Sequence, residues 1–307
     1  MKFKEQDKFI IGIDTGGTYT RIRIKKTTGD IKDISSPSIH YTTAGAGKFT
    51  SELSSQIRFI IRELNLKMAN CIGIAIGAAG LRTEGQKSEV KTLFIKKLHL
   101  NNIIVESDAF IALYDAYGSQ DGIILICGTG AVLYANYKGK TERAGGWGRA
   151  FGDPGSGYYL GLMALKSIAS EFDLYRGLEK SEFSKKIENK YGIKGENILE
   201  MLYQENFPPA VLVPVILKLA ASGNSTAISL IEKTINELVL FIEIFLKNKM
   251  TGEIFNISFG GSILSKDNFL SKKLKEIIKI KFKNKLILTN LKVEPLRGAV
   301  KLIESNL

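Results

Sequence analysis

Cysteine is nearly absent from this chain. There are two in 307 residues, Cys71 and Cys127, each inside an apolar, strand-like run. That scarcity excludes a disulfide scaffold, and the surroundings predict two buried free thiols, as in a reducing compartment. Proline is also sparse, at six, and no low-complexity linker appears. Long apolar runs are missing. The most lipid-like, residues 238–246, is short and contains Glu243, too little for a membrane span. Residues 1–8 are charged, which argues against a signal peptide. Acidic residues are outnumbered, 31 Asp and Glu against 43 Lys and Arg, for a net charge of +12. An excess of that sign favours anionic ligands. Nucleic acid is not expected, because no basic motif is interleaved with aromatics. The densest basic run, 266–285, reads as a solvated helix face with Phe269, Leu270, Leu274, Ile277 and Ile278 at helical spacing. With 44% apolar residues, the expectation is a soluble cytoplasmic protein with proper cores and one large or two ordinary domains.

What is present is organised around residues 9–24, FIIGIDTGGTYTRIRI. An apolar strand lands on Asp14, a Gly/Thr turn follows, and a second strand alternates polar with apolar. Glycines let backbone N–H groups face a charged ligand, and the hydroxyls add donors. A carboxylate at the strand end can hold a hydrated divalent cation beside them. Phosphate plus metal is one reading, and an ordinary Asp-Thr-Gly-Gly turn is the other. The theme recurs. Residues 122–127 form an apolar strand broken at Gly128-Thr129-Gly130, resumed over 131–137, turned at 138–140 and continued to 144. The copy lacks the Asp. Such a duplication predicts two similar lobes, each offering a Gly/Thr hairpin.

Between these hairpins come a loop (35–47), a helix carrying Phe49, Leu53, Ile57, Ile60, Ile61 and Leu64, and a buried strand (71–76) ending in Gly77-Ala78-Ala79-Gly80. A short strand, 103–106, then leads to Ser107-Asp108 and a helix over 109–117. At the carboxyl end of a strand, where α/β sheets present ligands, Asp108 is a candidate general base. The alternative is a helix cap, which Ser107 can supply instead. Asp115 and Asp121 read as ordinary surface carboxylates. After the second hairpin, GGWGRAFGDPGSG (145–157) packs the only Trp, an Asp and six glycines ahead of a helix. Trp147 suits the wall of a polar-ligand pocket and Asp153 an acceptor for ligand hydroxyls. Alternatively, Trp147 packs the core and Asp153 caps the helix. A long helix over 225–247 and a strand over 254–259 ending in Gly260-Gly261-Ser262 follow, and 297–304 form the final helix. These alternations indicate an α/β fold.

Five stretches, in this order, resemble the actin/hexokinase/Hsp70 ATPase superfamily. They are DTGGT (14–18), IAIGAAG (74–80), CGTGA (127–131), SFGGS (258–262) and RGAVKLI (297–303). SDAFIALYDAYG (107–118) and GGWGRAFGDPGSG are similar to the branch holding N-acetylglucosamine kinases and BadF/BadG/BcrA/BcrD-type ATPases. The ROK hexokinases match less well, because their Cys-rich metal motif is missing. The resemblance implies two RNase H-like lobes with mixed five-stranded sheets, residues 1–114 plus 295–307 and residues 115–294, facing an interlobe cleft. It implies an ATP-dependent sugar kinase acting on N-acetylglucosamine, glucosamine or glucose. Asp14 would position Mg²⁺. Gly16, Gly17, Thr18, Gly128, Thr129 and Gly130 would bind the phosphates, and Gly260 and Gly261 would face adenosine. Asp108 would be the base, and Gly80, Asp108, Gly146, Trp147 and Asp153 would hold the sugar. ATP, Mg²⁺ and the sugar are the implied partners, and a homodimer is left open.

Two departures fall on the sugar side. A loop Asn usual in these kinases is missing, with Ile39 in its place, and the Gly-Asp-Glu-Gly-Ser pattern becomes Gly152-Asp153-Pro154-Gly155-Ser156. An apolar Ile39 in the pocket predicts relaxed sugar selectivity. Two further classes stay open. One is a BadF-type activator of a redox enzyme, which needs cysteine thiolates for an iron–sulfur cluster. The other is a non-catalytic sugar-sensing regulator.

Overall fold

The computed structural model describes residues 4–16, 19–148, 151–247, 249–250 and 252–307. In chain order the elements begin β1 (Phe9–Thr15), β2 (Tyr19–Lys26), β3 (Ile31–Pro37), α1 (Tyr41–Glu63), β4 (Cys71–Ala78), α2 (Glu84–Leu98), β5 (Ile103–Glu106) and α3 (Asp108–Tyr117). They continue β6 (Gly122–Cys127), β7 (Ala131–Tyr137), β8 (Lys140–Gly145), α4 (Gly157–Tyr175), α5 (Glu182–Tyr191), α6 (Ile198–Tyr203), α7 (Val213–Ala221) and α8 (Ser225–Leu246). Last come β9 (Phe255–Gly260), α9 (Gly261–Leu264), α10 (Phe269–Lys281), β10 (Leu286–Leu288) and α11 (Pro295–Glu304).

Two sheets of five strands result, ordered β3-β2-β1-β4-β5 and β8-β7-β6-β9-β10. Each reads third, second, first, fourth, fifth within its own set, so the duplication visible in the hairpins extends through both sheets. The chain divides into two compact units, residues 1–122 with 136–139 and 292–307, and residues 123–135 with 140–291.

In the first unit β1 is buried at every position, as expected of a central strand read as one apolar run. It pairs antiparallel with β2 and parallel with β4. Alternate β1 side chains serve opposite faces. Phe9, Ile11 and Ile13 join Phe49, Leu53, Phe94 and Val90 of α1 and α2 in one core. Ile10 joins Ile111, Ala299, Val300 and Ile303 of α3 and α11 in the other. Residues 41–47, expected in a loop, are helical, with a kink at Gly45 where φ is 73°.

Asp115 is no surface carboxylate. It is buried against α11, where Arg297 donates from Nε to Oδ1 at 2.7 Å and from an Nη to Oδ2 at 2.7 Å. Lys301 lies 3.0 Å from Oδ1, and the Glu294 N–H donates to Oδ2 at 2.8 Å. Burial alone would raise this carboxyl, but these donors together hold it below the usual carboxylate range. Beside it Gly298 lets the helices touch, since a Cβ there would stand 1.8 Å from the Ile111 carbonyl oxygen.

In the second unit β6 and β10 both run parallel to β9. The long α8 buries Ile231, Ile235, Leu238, Ile242 and Phe245 along one stripe. Among the described residues no single helix is long and apolar enough to cross a membrane. The segments 209–221 and 225–246 pass only as a pair bent by 116°. Both cysteines are buried and free.

Candidate active site

In the first unit the candidate residues gather at the carboxyl ends of β1, β4 and β5. Asp14 is 3% exposed, and Arg21, directly opposite on β2, donates to its Oδ2 at 2.5 Å. Burial pushes the Asp14 carboxyl up, and the Arg21 charge offsets only part of that. Gly16 begins the turn, where Ser38 Oγ donates to its carbonyl at 2.5 Å. Gly17 and Thr18 lie outside the described residues. The Thr15 hydroxyl is buried with no hydrogen-bond partner among the described residues. Gly80 sits at the end of β4, adjoining Thr42 and the His40 ring, and the preceding Ala79 N–H donates to the Thr15 carbonyl at 2.9 Å.

Asp108 opens α3. The capping alternative is resolved by Ser107, whose Oγ accepts from the Phe110 N–H at 3.1 Å. Asp108 does not cap the helix; its carboxylate accepts from the adjacent Ala109 N–H at 2.9 Å and from its own N–H. Burial and the nearby Asp14 charge push its carboxyl up to about 7. The residue retains partial solvent contact, which screens some of that effect. Two neighbouring carboxylates that repel each other are what a divalent cation relieves, and Mg²⁺ is commonly held by one or two carboxylates plus substrate phosphates. Asp14 therefore fits the metal. No group of three or more His, Cys, Asp or Glu suited to a metal occurs among the described residues, so the phosphates would have to complete its shell.

In the second unit the loop 128–130, the β9–α9 junction and the start of α4 meet. The Gly157 N–H donates to the Gly128 carbonyl at 2.8 Å and the Tyr158 N–H to Thr129 at 3.2 Å. Gly128 faces Ser262, and Gly261, at φ +82°, lies so close to Cys127 that a Cβ would meet its carbonyl oxygen at 2.4 Å. Gly260 ends β9 against Ile124 and Ile126. Gly128, Gly260 and Gly261 are thus brought together at the carboxyl ends of β6 and β9.

Asp153 is buried beneath this loop. Its Oδ2 accepts from the Ala131 N–H at 3.2 Å and its Oδ1 from the Gly148 N–H at 3.4 Å. It is not the cap of α4, since Ser156 Oγ accepts from the Tyr159 N–H at 3.0 Å. Trp147 does not pack the core, being 59% exposed, with Gly146 beside it bonded to the Ala131 carbonyl at 2.9 Å. Ile39 is corrected. It is 7% exposed and belongs to the α1/α2 core of the first unit, so it offers no pocket wall, and relaxed selectivity cannot be argued from it. Arg21 was not singled out by its sequence. Hairpin arithmetic through the turn, which sets Thr15 opposite Thr20, would have placed it across from Asp14.

Sheet order and glycine surfaces of this kind define the class of actin-like ATPase folds. The crystal structure of an N-acetylglucosamine kinase candidate from Chromobacterium violaceum matches with a TM-score of 0.74 at 22% identity, over 97% of this chain and 99% of that one. Residues 11–302 match the model of the BadF/BadG/BcrA/BcrD ATPase family, and the chain belongs to that family. It is 27% identical to an N-acetylmuramic acid/N-acetylglucosamine kinase from Clostridium acetobutylicum, over 95% of this chain and 97% of that protein. It is equally 27% identical to an N-acetyl-D-glucosamine kinase from Dictyostelium discoideum, over 95% and 96%.

Proposed function

We propose that the protein transfers the γ-phosphoryl group of ATP to a hydroxyl of an amino sugar of the N-acetylglucosamine type. The observation that carries this is Asp108, a carboxylate at a helix start that is not consumed by capping, poised near neutrality beside Asp14. A base of that affinity can accept the sugar hydroxyl proton as the oxygen attacks phosphorus. Asp14 would hold Mg²⁺, which when bound neutralises phosphate charge. The backbone at Gly16 and at Gly128, Thr129 and Gly130 would receive the phosphates, with adenosine against Gly260 and Gly261. Gly80, Gly146 and Trp147 would place the sugar. Asp153, whose two oxygens already accept backbone N–H groups, would shape the phosphate loop as well as face the sugar. Such transfer depends on positioning and charge neutralisation, with no covalent enzyme intermediate.

The redox-activator reading is weaker. Burial pushes both Cys71 and Cys127 up to about 12, so neither offers a ready thiolate for a cluster.

The test is Asp108→Asn, assayed by ADP release with N-acetylglucosamine and by identification of the phosphorylated sugar. kcat should fall by on the order of 10²-fold or more, with sugar binding little changed. Near-normal turnover would remove Asp108 as the base, and wild type producing ADP without sugar phosphate would remove the kinase.

A further inference from the structure

A solvated helix face accounts for only part of the densest basic run. Its last stretch, residues 279–285, closes α10 and leads into β10. Lys279, Ile280, Lys281, Lys283, Asn284 and Lys285 are exposed there, and Phe282 alone is buried. The Lys285 carbonyl accepts from the Phe255 N–H at 2.9 Å, which brings the start of β9 alongside. Phe255 packs its ring on Phe245 of α8, with centroids 5.2 Å apart. The carboxyl ends of α8 and α10 and the amino ends of β9 and β10 therefore form one end of the second unit. Because β6, β9 and β10 run parallel, Gly128, Gly260 and Gly261 lie at the other end.

Positive charge is in excess at this end. Glu243 is paired with Lys281 at 2.5 Å and Glu142 with Lys249 at 2.5 Å, while Glu253 accepts the Met250 N–H at 3.1 Å. Lys247, Lys279, Lys283 and Lys285 make no ion pair among the described residues. The dipole of α10 accounts for Lys279 and Lys281 in its last turn. It does not account for Lys283 and Lys285 beyond the helix, nor for the aliphatic side chains exposed around them. Ile280 is 76%, Met250 66% and Ile254 58% exposed. Flexible lysine stems with aliphatic tips between them suit an anionic lipid surface, where ammonium groups meet headgroups and apolar tips reach the acyl boundary. Nucleic acid fits less well, since bases need aromatic platforms and no exposed aromatic occurs among the described residues of 247–287. We propose that this end of the second unit docks on an anionic bilayer surface. Lys279, Lys283 and Lys285 lie against lipid phosphates, with Ile280, Met250 and Ile254 at the acyl boundary. The contact is peripheral, needs no membrane-spanning helix, and leaves the glycine-lined end of the strands facing away from lipid.

The experiment is flotation of the full chain with phosphatidylglycerol/phosphatidylcholine vesicles, against vesicles of phosphatidylcholine alone. Wild type should float with the anionic vesicles only, and its binding should fall steeply from about 0.05 to about 0.5 M NaCl. The triple variant Lys279→Gln/Lys283→Gln/Lys285→Gln should lose on the order of 10²-fold in partition coefficient, roughly fivefold per lysine. A control triple on the first unit, Lys32→Gln/Lys91→Gln/Lys96→Gln, changes net charge equally and should bind nearly as wild type does. Equal loss in the two triples overturns the inference, because overall charge then suffices. So does a wild type that fails to float, or that floats equally with neutral vesicles. Wild type that binds duplex DNA in place of vesicles overturns it in favour of nucleic acid. Should the first triple not fold, Lys283→Gln/Lys285→Gln, outside the helix, decides by a loss on the order of 10-fold.

Discussion

Asp108, as the proposed base, should have opposite effects on activity and on stability. Its carboxyl is pushed up from an ordinary value of 3.8 to about 7, so the folded state holds this proton more tightly than the unfolded chain. Between about pH 4 and pH 7 stability therefore falls as pH rises, and the full cost of the buried charge is present above pH 7. Asp108→Asn should raise Tm at pH 8 by roughly a few degrees, and the gain should vanish near pH 4. A Tm difference independent of pH would show that the charge does not set it. In turnover, kcat/KM should climb with pH to an inflection at or below 7, because a cation near Asp14 favours the ionised base. A profile flat from pH 5 to 8 would argue against Asp108 as the titrating group.

Asp14 and Arg21 behave as a pair. Removing Arg21 leaves a buried charge uncompensated, which typically costs about 3–5 kcal/mol. Arg21→Gln should thus lower stability strongly, while adding Asp14→Asn should restore much of it. The double variant should still lack Mg²⁺-dependent ADP binding, measured by titration with and without EDTA. Recovery of that binding would mean Asp14 serves the hairpin and not the metal. That Asp14 and Asp108 lie at the carboxyl ends of strands was legible in the sequence. Asp115 was not, because its partners Arg297 and Lys301 lie far along the chain. Ile39 shows a related limit. A position inferred by resemblance does not say which way the side chain points.

At the scale of elements, α3 carries Asp108 at one end and the Asp115 clamp near the other. α11 is thereby tied to the helix that presents the proposed base. Gly298→Ala forces a Cβ into the Ile111 carbonyl, so α3 or α11 must shift, at a cost of about 1–3 kcal/mol or more. We expect a lower Tm together with a lower kcat, and nucleotide affinity less affected. Loss of nucleotide binding equal to the loss of kcat would show a general collapse. Strands and long helices were readable from their period, as α8 was. The helix α2 was overlooked, although Thr83 and Gln86 form a capping box in which Thr83 Oγ1 accepts from the Gln86 N–H at 3.2 Å. Its apolar face is only Val90, Phe94 and Leu98, one residue per turn, too thin a stripe to register as amphipathic.

For the whole molecule, the repeated order of strands was half visible beforehand. Each hairpin announced its first three strands, whereas β4-β5 and β9-β10 are joined through helices of unequal length and share no motif. One consequence concerns synthesis. The core on the α3 side of the first sheet combines Ile10, Ala75 and Ile111 with Ala299, Val300 and Ile303. On the ribosome that face has only α3 over it until residues 295–304 have emerged, although β1 is made almost at the start. The second unit, drawn from 123–135 and 140–291, has all its parts earlier. The half of the protein translated first is thus the half completed last, and nascent chains halted before α11 should be the ones that chaperones hold.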